Sequence, residues 1–385
     1  MFIFDNKNIP FQLLLPSNSD EDINILIGEN GSGKSTLLND ISKFHLGQNY
    51  NVIAIANTIY DKFNSRNPHF KILRSSLGKT LARNTIVNAF KILANDDLKR
   101  LRNIANTLEY IGFDPVISFK LNGVNPDFRD KVIDSELPGE EKEILMYFLN
   151  RYVDRQFYEE KIVNINFNNE KFEDIKNSYL LTMFLYEKQL KSLKLIRGID
   201  IYLNKNNQHI PLNKASSGEL TLVTSLIYLT SVITENSVIL IDEPENSLHP
   251  KWQIEYITRI NNLFYFYQPK IIVATHSPLI INGAEMNSQN LKIFKGTNGN
   301  FILELNEKIN VEEIYQEYFD VTTPENRYLS ENLIDKMNLL ASKNIGLDEF
   351  SKEINNIQDN SYDEKQKKLL EEVLEMGKKI INDIE

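Results

Sequence analysis

The stretch "INILIGENGSGKST", residues 23–36, decides the fold of this chain. Its first half is an apolar run that ends at Gly28, which predicts a buried strand. Its second half fits G-x-x-x-x-G-K-[ST] and leads into a segment with helical spacing. In such a loop the backbone N–H groups surround phosphate oxygens, Lys34 reaches the β- and γ-phosphates, and the Ser35 hydroxyl coordinates Mg²⁺. The predicted phosphate-binding residues are Gly28, Asn30, Gly31, Ser32, Gly33, Lys34, Ser35 and Thr36.

A second stretch, "SVILIDEPENSLHP" at residues 237–250, carries two adjacent carboxylates. Its apolar run predicts a core strand that delivers Asp242 and Glu243 to the carboxyl edge of a sheet, where ligands of open α/β sheets bind. We expect Asp242 to hold Mg²⁺ through water and Glu243 to polarise the attacking water. The alternative is an acidic turn that simply follows a strand.

The stretch "IIVATHSP", residues 271–278, predicts another buried strand, which ends at His276. A histidine that stands alone in a sequence is more often structural than catalytic. At the C-terminal end of a third core strand, however, an imidazole can reach the γ-phosphate and sense its presence. We therefore predict that His276 belongs to the catalytic site.

A fourth stretch, "KASSGELT" at residues 214–221, has no strong nucleophile and a single carboxylate, Glu219. It runs directly into an apolar segment. Two serines and a glycine ahead of an apolar helix predict an N-cap, and the free N–H groups of such a helix start point at an anion.

The composition limits the classes of function. The 385 residues carry a net charge of −10 and no cysteine. Disulfides and thiolate metal sites are therefore excluded, and nucleic-acid binding would need a local basic patch. We see no apolar window that would span a bilayer and no signal-peptide pattern at the start. We expect a cytoplasmic protein without a membrane partner.

Strand and helix patterns alternate in two separate parts of the chain, which predicts an α/β fold with a parallel sheet covered by helices. We predict that residues 1–60 form the first part of this core and residues 195–305 the second. Residues 61–194 read as a mainly helical insertion, and residues 306–385 as a helical C-terminal region.

These motifs, in this order, resemble the ABC-type ATPase heads of the soluble SMC, Rad50, RecF and OLD-like branch. Residues 215–219 read ASSGE and correspond to the signature motif of that family, which is usually LSGGQ or LSGGE. The resemblance implies a P-loop NTPase sheet of the ABC type, with ATP and Mg²⁺ as cofactors. It also implies a head-to-tail dimer, or a larger assembly, in which the signature of one copy contacts the γ-phosphate held by the other. The implied contact residues are Ser216, Ser217, Gly218 and Glu219.

Two further correspondences depend on the same resemblance. Asn57 stands where these heads carry the Q-loop residue that touches Mg²⁺ and the attacking water, although an asparagine also commonly ends a strand. The segment Ser247, Leu248 and His249 matches the D-loop of the soluble branch. His249 either contacts the opposite head or starts the next helix ahead of Pro250.

The chain further resembles the compact ATPases of anti-phage modules, such as the Septu and retron-associated PtuA proteins. This resemblance implies a regulator that holds a separate effector, a nuclease or a toxin. Candidate partner surfaces are residues 83–110, with the basic run Lys99, Arg100 and Arg102, and the helices from Val311 onward. One alternative is a RecF-like DNA-repair ATPase, with nucleic acid as trigger or substrate. Two further alternatives are the ATPase subunit of a membrane transporter and a protein without enzymatic activity that uses ATP only to stabilise its structure.

Overall fold

The computed structural model describes most of the chain. The described residues are 9–17, 21–58, 60–74, 79–93, 98–154, 162–168, 184–304, 327–359 and 364–384. The strands are β1 (Asp22–Ile27), β2 (Val52–Ala56), β3 (Phe70–Arg74), β4 (Val116–Asn122), β5 (Val163–Asn166), β6 (Gly198–Lys205), β7 (Gln208–Pro211), β8 (Val238–Asp242), β9 (Lys270–Ala274), β10 (Leu291–Thr297) and β11 (Asn300–Glu304).

The helices cover both ends of the chain and the stretch between the two groups of core strands. They are α1 (Phe11–Leu14), α2 (Lys34–Gly47), α3 (Lys79–Leu93), α4 (Leu98–Ile111), α5 (Phe128–Ile133), α6 (Gly139–Asp154), α7 (Glu187–Ser192), α8 (Ser217–Val232), α9 (Pro250–Phe264), α10 (Pro278–Asn287), α11 (Arg327–Ala341), α12 (Leu347–Asp359) and α13 (Glu364–Ile384). None of the described helices is long and apolar enough to cross a membrane.

The main sheet has seven strands in the order β11-β10-β1-β9-β8-β2-β3. Every neighbouring pair is parallel except β10 and β11, which form an antiparallel hairpin at one edge. The sheet combines strands from the first and the last parts of the predicted core, with helices in between. The predicted α/β architecture of a P-loop NTPase is confirmed.

The alternation of side chains along the strands explains why the sheet is buried on both faces. In β1, Ile23 and Ile25 pack into the larger hydrophobic core, whereas Leu26 packs into a second core on the opposite face with α2. The strands β2, β8 and β9 divide their side chains in the same way. Successive side chains of a strand point to opposite faces, so a near-continuous apolar run fills both layers.

The middle of the chain, which the sequence predicts as mainly helical, contributes strands to both sheets. Strand β3 lies within residues 61–194, the predicted helical insertion, and pairs with β2 at the edge of the main sheet. A second, antiparallel sheet has the order β5-β4-β6-β7. It joins two strands of the middle region to β6 and β7, which the sequence had placed with residues 195–305. The first difference arises from pairing across 18 residues, and the second from pairing between strands about 80 residues apart.

The C-terminal helices α11, α12 and α13 pack around a core of their own, which includes Leu333, Phe350 and Leu370. The tail was predicted to be helical, and its described part is helical. The start of the predicted partner surface at Val311 lies outside the described residues.

Candidate nucleotide-binding site

The predicted motifs follow four adjacent strands of the main sheet, which run in the order β1-β9-β8-β2. The strand ends are in register, because Leu26 pairs with Ala274, Ala274 with Asp242, and Asp242 with Ala56. Backbone hydrogen bonds continue the ladder beyond the strands, with Asn57 N–H donating to the Asp242 carbonyl at 3.1 Å. The sheet therefore gathers the P-loop, both acidic residues, the histidine segment and Asn57 at one edge.

The P-loop turns sharply between β1 and α2. Gly33 occupies the N-cap of α2 with φ 98°, a left-handed conformation that glycine adopts without steric cost. The turn of the β10–β11 hairpin supports the loop from outside, because the Gly299 N–H donates to the Ser32 carbonyl at 3.1 Å. The loop is thus held by the hairpin turn as well as by β1 and α2, which flank it in the chain. The start of α2 faces the space at the edge of the sheet.

Lys34 is buried and folds back over its own loop. Its ammonium group donates to the carbonyls of Gly28 at 2.8 Å and Glu29 at 3.1 Å. Burial lowers the pKa of Lys34 to about 8, while the carboxylates of Glu243 and Asp242 act in the opposite direction. The side chain therefore remains mostly cationic at neutral pH and has donors that phosphate oxygens can use.

Asp242 is completely buried, and neither carboxylate oxygen has a hydrogen-bond partner among the described residues. Burial raises the pKa of Asp242 to about 6. The Ser35 hydroxyl faces the carboxyl group and lowers the pKa, without reaching the geometry of a hydrogen bond. Oxygen ligands from one carboxylate and one hydroxyl are those that Mg²⁺ takes beside a nucleotide, so these residues fit the metal.

The raised pKa of Asp242 makes the metal-free protein sensitive to pH. The folded state binds this proton more tightly than the unfolded chain, because folding raises the pKa from 3.8 to about 6. The resulting stabilisation is present below about pH 4 and is lost as the pH rises through about 6.

We expect Asp242→Asn to raise the stability of the metal-free protein at pH 8, by up to about 3 kcal/mol, because the neutral amide removes the buried charge. Thermal unfolding in EDTA at pH 8 and pH 5 would show the gain and its decline at the lower pH. Asp130→Asn, at an exposed position, is the control and should change little. A gain of the same size at both pH values would contradict the prediction.

Glu243 has a constrained backbone and a constrained side chain. Its φ of 50° lies in the left-handed region, which is costly for a residue other than glycine and is often found at functional sites. Its N–H donates to the Ala274 carbonyl at 2.9 Å, and the Asn246 side chain donates to its Oε2 at 3.0 Å. The carboxylate is therefore held beside Asp242 at the edge of the sheet.

Glu245 connects this acidic loop to the end of β9. Its carboxylate accepts hydrogen bonds from the Thr275 hydroxyl at 2.8 Å and from the His276 N–H at 2.6 Å. The imidazole of His276 is half-buried. Burial and the nearby Lys34 charge lower the pKa of His276, so the ring is neutral at physiological pH. Glu245 thus fixes the backbone from which this imidazole projects.

The KASSGELT stretch begins α8, as its sequence predicts. Ser216 is the N-cap and forms a capping box with Glu219. The Ser216 hydroxyl accepts from the Glu219 N–H, and the Glu219 carboxylate accepts from the Ser216 N–H. Lys205 lies 3.4 Å from that carboxylate. Ser216 and Ser217 are exposed, so this helix start faces outward.

Residues 215–219, called the signature segment after the resemblance, pack against Ser247 in the loop that precedes α9. A Cβ added to Gly218 would lie 2.5 Å from the Ser247 carbonyl oxygen and 3.2 Å from the Trp252 ring. Ser247 itself has φ 69°, and His249 is the N-cap of α9, accepting from the Lys251 N–H. The structure therefore shows His249 starting the next helix, which was one of its two predicted roles.

This close approach makes Gly218 intolerant of a larger side chain. We expect Gly218→Ala to lower the free energy of unfolding by about 1–3 kcal/mol, since the Ser247 backbone cannot move aside easily. Gly47→Ala is the control, because its added Cβ has no described atom within 4 Å apart from its chain neighbours and the backbone of its own helix. Thermal unfolding of both variants tests the prediction, and equal melting temperatures would contradict it.

Asn57 differs from the other site residues because it borders a cavity next to α8. It lines a largely apolar cavity of about 300 Å³ together with Leu73, Ala82, Ala215 and Thr224. Its carbonyl accepts a 3.4 Å hydrogen bond from Asn246. Asn57 therefore lies between the acidic loop and the first turns of α8.

Three residues of the site were not singled out from the sequence. Asn246 and Glu245 lie inside the quoted acidic stretch, but their partners lie up to 189 positions away along the chain. Gly299 belongs to the Asn-Gly turn of a hairpin, and this turn signal was visible in the sequence.

Parts of the chain are similar in sequence to proteins of bacteria and of a phage. It is 29% identical over 128 residues to the Septu protein PtuA of Bacillus mycoides (strain KBAB4), covering 31% of this chain and 17% of that protein. It is 25% identical over 289 residues to protein ea59 of Escherichia phage lambda, covering 72% of this chain and 50% of that protein. It is 32% identical over 125 residues to "Retron Ec83 probable ATPase" of Escherichia coli, covering 29% of this chain and 22% of that protein. The chain spans half or less of the length of these three relatives.

A family model matches a large central part of the chain. Residues 64–282 match the model described as "AAA domain, putative AbiEii toxin, Type IV TA system". The match begins after the P-loop and includes the signature segment, both acidic residues and His276. With the relatives named above, it confirms the resemblance to ATPases of anti-phage defence systems. Because the model covers more than half of the 385 residues, this chain belongs to that AAA domain family.

Proposed function

We propose that this protein binds ATP with Mg²⁺, hydrolyses it between two copies arranged head to tail, and thereby regulates an effector in anti-phage defence. The ATPase part depends chiefly on the buried Asp242 carboxyl group, which lacks a hydrogen-bond partner among the described residues and lies beside Ser35. An unpaired buried carboxylate is costly, and a cation that binds during function explains why the residue is present.

The P-loop residues would hold the phosphates. Backbone N–H groups at the start of α2 surround the β-phosphate, and Lys34 exchanges its present carbonyl partners for phosphate oxygens. Ser35 and Asp242 would hold Mg²⁺, with Asn57 beside them. Bound Mg²⁺ neutralises charge on the β- and γ-phosphate oxygens.

Glu243 is the proposed general base. Its carboxylate is held by Asn246 and projects from a strained backbone next to the metal-binding residues. There it can accept a proton from the attacking water. The neutral imidazole of His276, positioned through Glu245, can donate a hydrogen bond to the γ-phosphate and so distinguish ATP from ADP.

A second copy would complete the site. Among the described residues, no hydrogen bond or ion pair joins residues 216–219 to residues 28–36 of the same chain. The first-turn N–H groups of Ser217 and Gly218 have no acceptor within α8. In the proposed dimer they and the Ser216 hydroxyl contact the γ-phosphate held by the other copy, and Glu219 orients Ser216 through the capping box.

The proposed effector is a nuclease or toxin subunit. The Septu and retron relatives support this part, and the absence of cysteine fits the cytoplasm. Direct DNA binding through the basic run has less support, because Arg100 is engaged inside the protein, which leaves Arg102 as the exposed cation among those of the run whose side chains are described.

We also propose domain boundaries near residues 60, 194 and 305. Strand β3 lies in the middle region but pairs with the main sheet, whereas β6 and β7 lie after residue 194 but join the second sheet.

Native mass spectrometry of tagged Glu243→Gln, expressed with its neighbouring genes and purified with ATP and Mg²⁺, tests the assembly. An even number of heads bound to a second kind of chain would support effector regulation. A homodimer alone would favour the DNA-repair alternative and lead to salt-dependent DNA-binding assays. A monomer with ATP bound would contradict the proposed dimer.

A further inference from the structure

Two helices begin at the proposed ATP site and end far from it. Helix α8 starts at the signature segment, and α9 starts directly after the acidic loop. With 16 and 15 residues, they extend roughly 24 and 22 Å at 1.5 Å per residue. Both of their far ends contact α4, a helix of the middle region.

Arg100 on α4 caps the C-terminal end of α8. Its guanidinium donates to the Thr230 carbonyl at 2.5 Å and to the Ile233 carbonyl at 2.9 Å. The last carbonyls of a helix lack intrahelical partners and form the negative end of its dipole, so a cation is favoured there. Arg100 is therefore engaged within the protein and does not belong to a solvated basic face.

The same helix α4 also holds the far end of α9. The Asn103 side chain donates to the Leu263 carbonyl in the last turn of α9 at 2.8 Å. The Arg259 guanidinium of α9 lies 4.5 Å from the centre of the Tyr110 ring of α4. Two independent contacts thus join α4 to α9, in addition to the Arg100 cap on α8.

We propose that Arg100 and Asn103 are positioning residues, through which α4 sets the geometry of the ATP site. The two helices are already joined at their near ends, where Gly218 meets the Ser247 carbonyl. Held at both ends, the signature segment and the acidic loop move as one unit, and a shift of α4 displaces both. A partner that binds the middle region would change ATP turnover by this route. The inference rests on the proposed function.

Substitutions on α4 test the proposal, with exposed neighbours as matched controls. Arg100→Ala is compared with Arg102→Ala, and Asn103→Ala with Asn106→Ala. Each variant is assayed at least 10 °C below its own melting temperature, for ATP affinity by calorimetry, for kcat, and for ATP-dependent dimers by light scattering.

We expect kcat of Arg100→Ala and Asn103→Ala to fall about tenfold or more, because small displacements of reacting groups are costly. Their ATP affinity as monomers should stay within about twofold, since the P-loop lies on β1 and α2, which these residues do not touch. Arg100→Lys should recover part of the turnover, because it restores a cation at the helix end.

Two outcomes would overturn the proposal. One is equal kcat in each variant and its control. The other is a loss of ATP affinity and kcat together in proportion to the unfolded fraction, which would indicate a purely structural role. A wild-type protein that neither hydrolyses ATP nor dimerises would instead overturn the proposed function, and this inference with it.

Discussion

Lys34→Ala is expected to reduce ATP turnover at least about a hundredfold and to weaken ATP binding at least about tenfold. The ammonium group is buried at the P-loop, within the field of Asp242 and Glu243. Its removal takes away a cation that would contact the β- and γ-phosphates and leaves them close to the carboxylates of Asp242 and Glu243. Both binding and the transition state should therefore be weakened.

Phosphate release and calorimetry with ATP and Mg²⁺ measure the two effects. Lys43→Ala is the matched control, because Lys43 lies on the same helix, is partly exposed and pairs with Asp40 at the surface. Turnover by Lys34→Ala equal to that of Lys43→Ala would contradict the assignment of the P-loop.

Glu243→Gln is expected to bind ATP normally and to hydrolyse it about a hundred to ten thousand times more slowly. The amide keeps the shape of the side chain and a partner for Asn246, but it cannot accept a proton from water. Because ATP then persists in the site, the variant should accumulate dimers that wild type forms only transiently.

Light scattering with and without ATP, beside a turnover assay, tests this prediction. Glu235→Gln provides the control, since Glu235 is exposed near the opposite end of β8. Turnover that survives Glu243→Gln would require another residue as the base. Slow turnover without dimers would argue against the shared site.

The sequence predicts those parts of the site that follow from local patterns and from the way parallel strands align in a sheet. The P-loop, the acidic pair and the histidine each follow an apolar run, and parallel strands bring their carboxyl ends to one edge. The N-cap at Ser216 was likewise visible from "KASSGELT" and is confirmed as a helix start. The functional roles of these residues remain predictions.

The parts that escaped prediction depend on contacts between segments, which a local sequence pattern does not show. Strand β3 has an ordinary sequence, and its place follows only from its pairing with β2. Strand β6 pairs with β4, about 80 residues earlier, so its apolar pattern could not reveal which sheet it joins. In the sequence, Arg100 is part of a basic run. Its role as a helix cap could not be predicted, because its acceptors lie some 130 residues along the chain.

The most direct test of the shared site mixes two inactive proteins. Lys34→Ala has an inactive P-loop and an intact signature. Ser216→Asp should keep the helix cap, since aspartate is a good N-cap, while its charge repels the γ-phosphate. In a mixed head-to-tail dimer, the intact P-loop of one chain meets the intact signature of the other.

We predict that the mixture regains ATP turnover, to about a quarter of wild type if chains pair at random and the sites act independently. Each variant alone should stay inactive at the same total concentration. A mixture as inactive as its components, although mixed dimers are detected by mass spectrometry, would contradict the proposal that the signature of one copy completes the ATP site of the other.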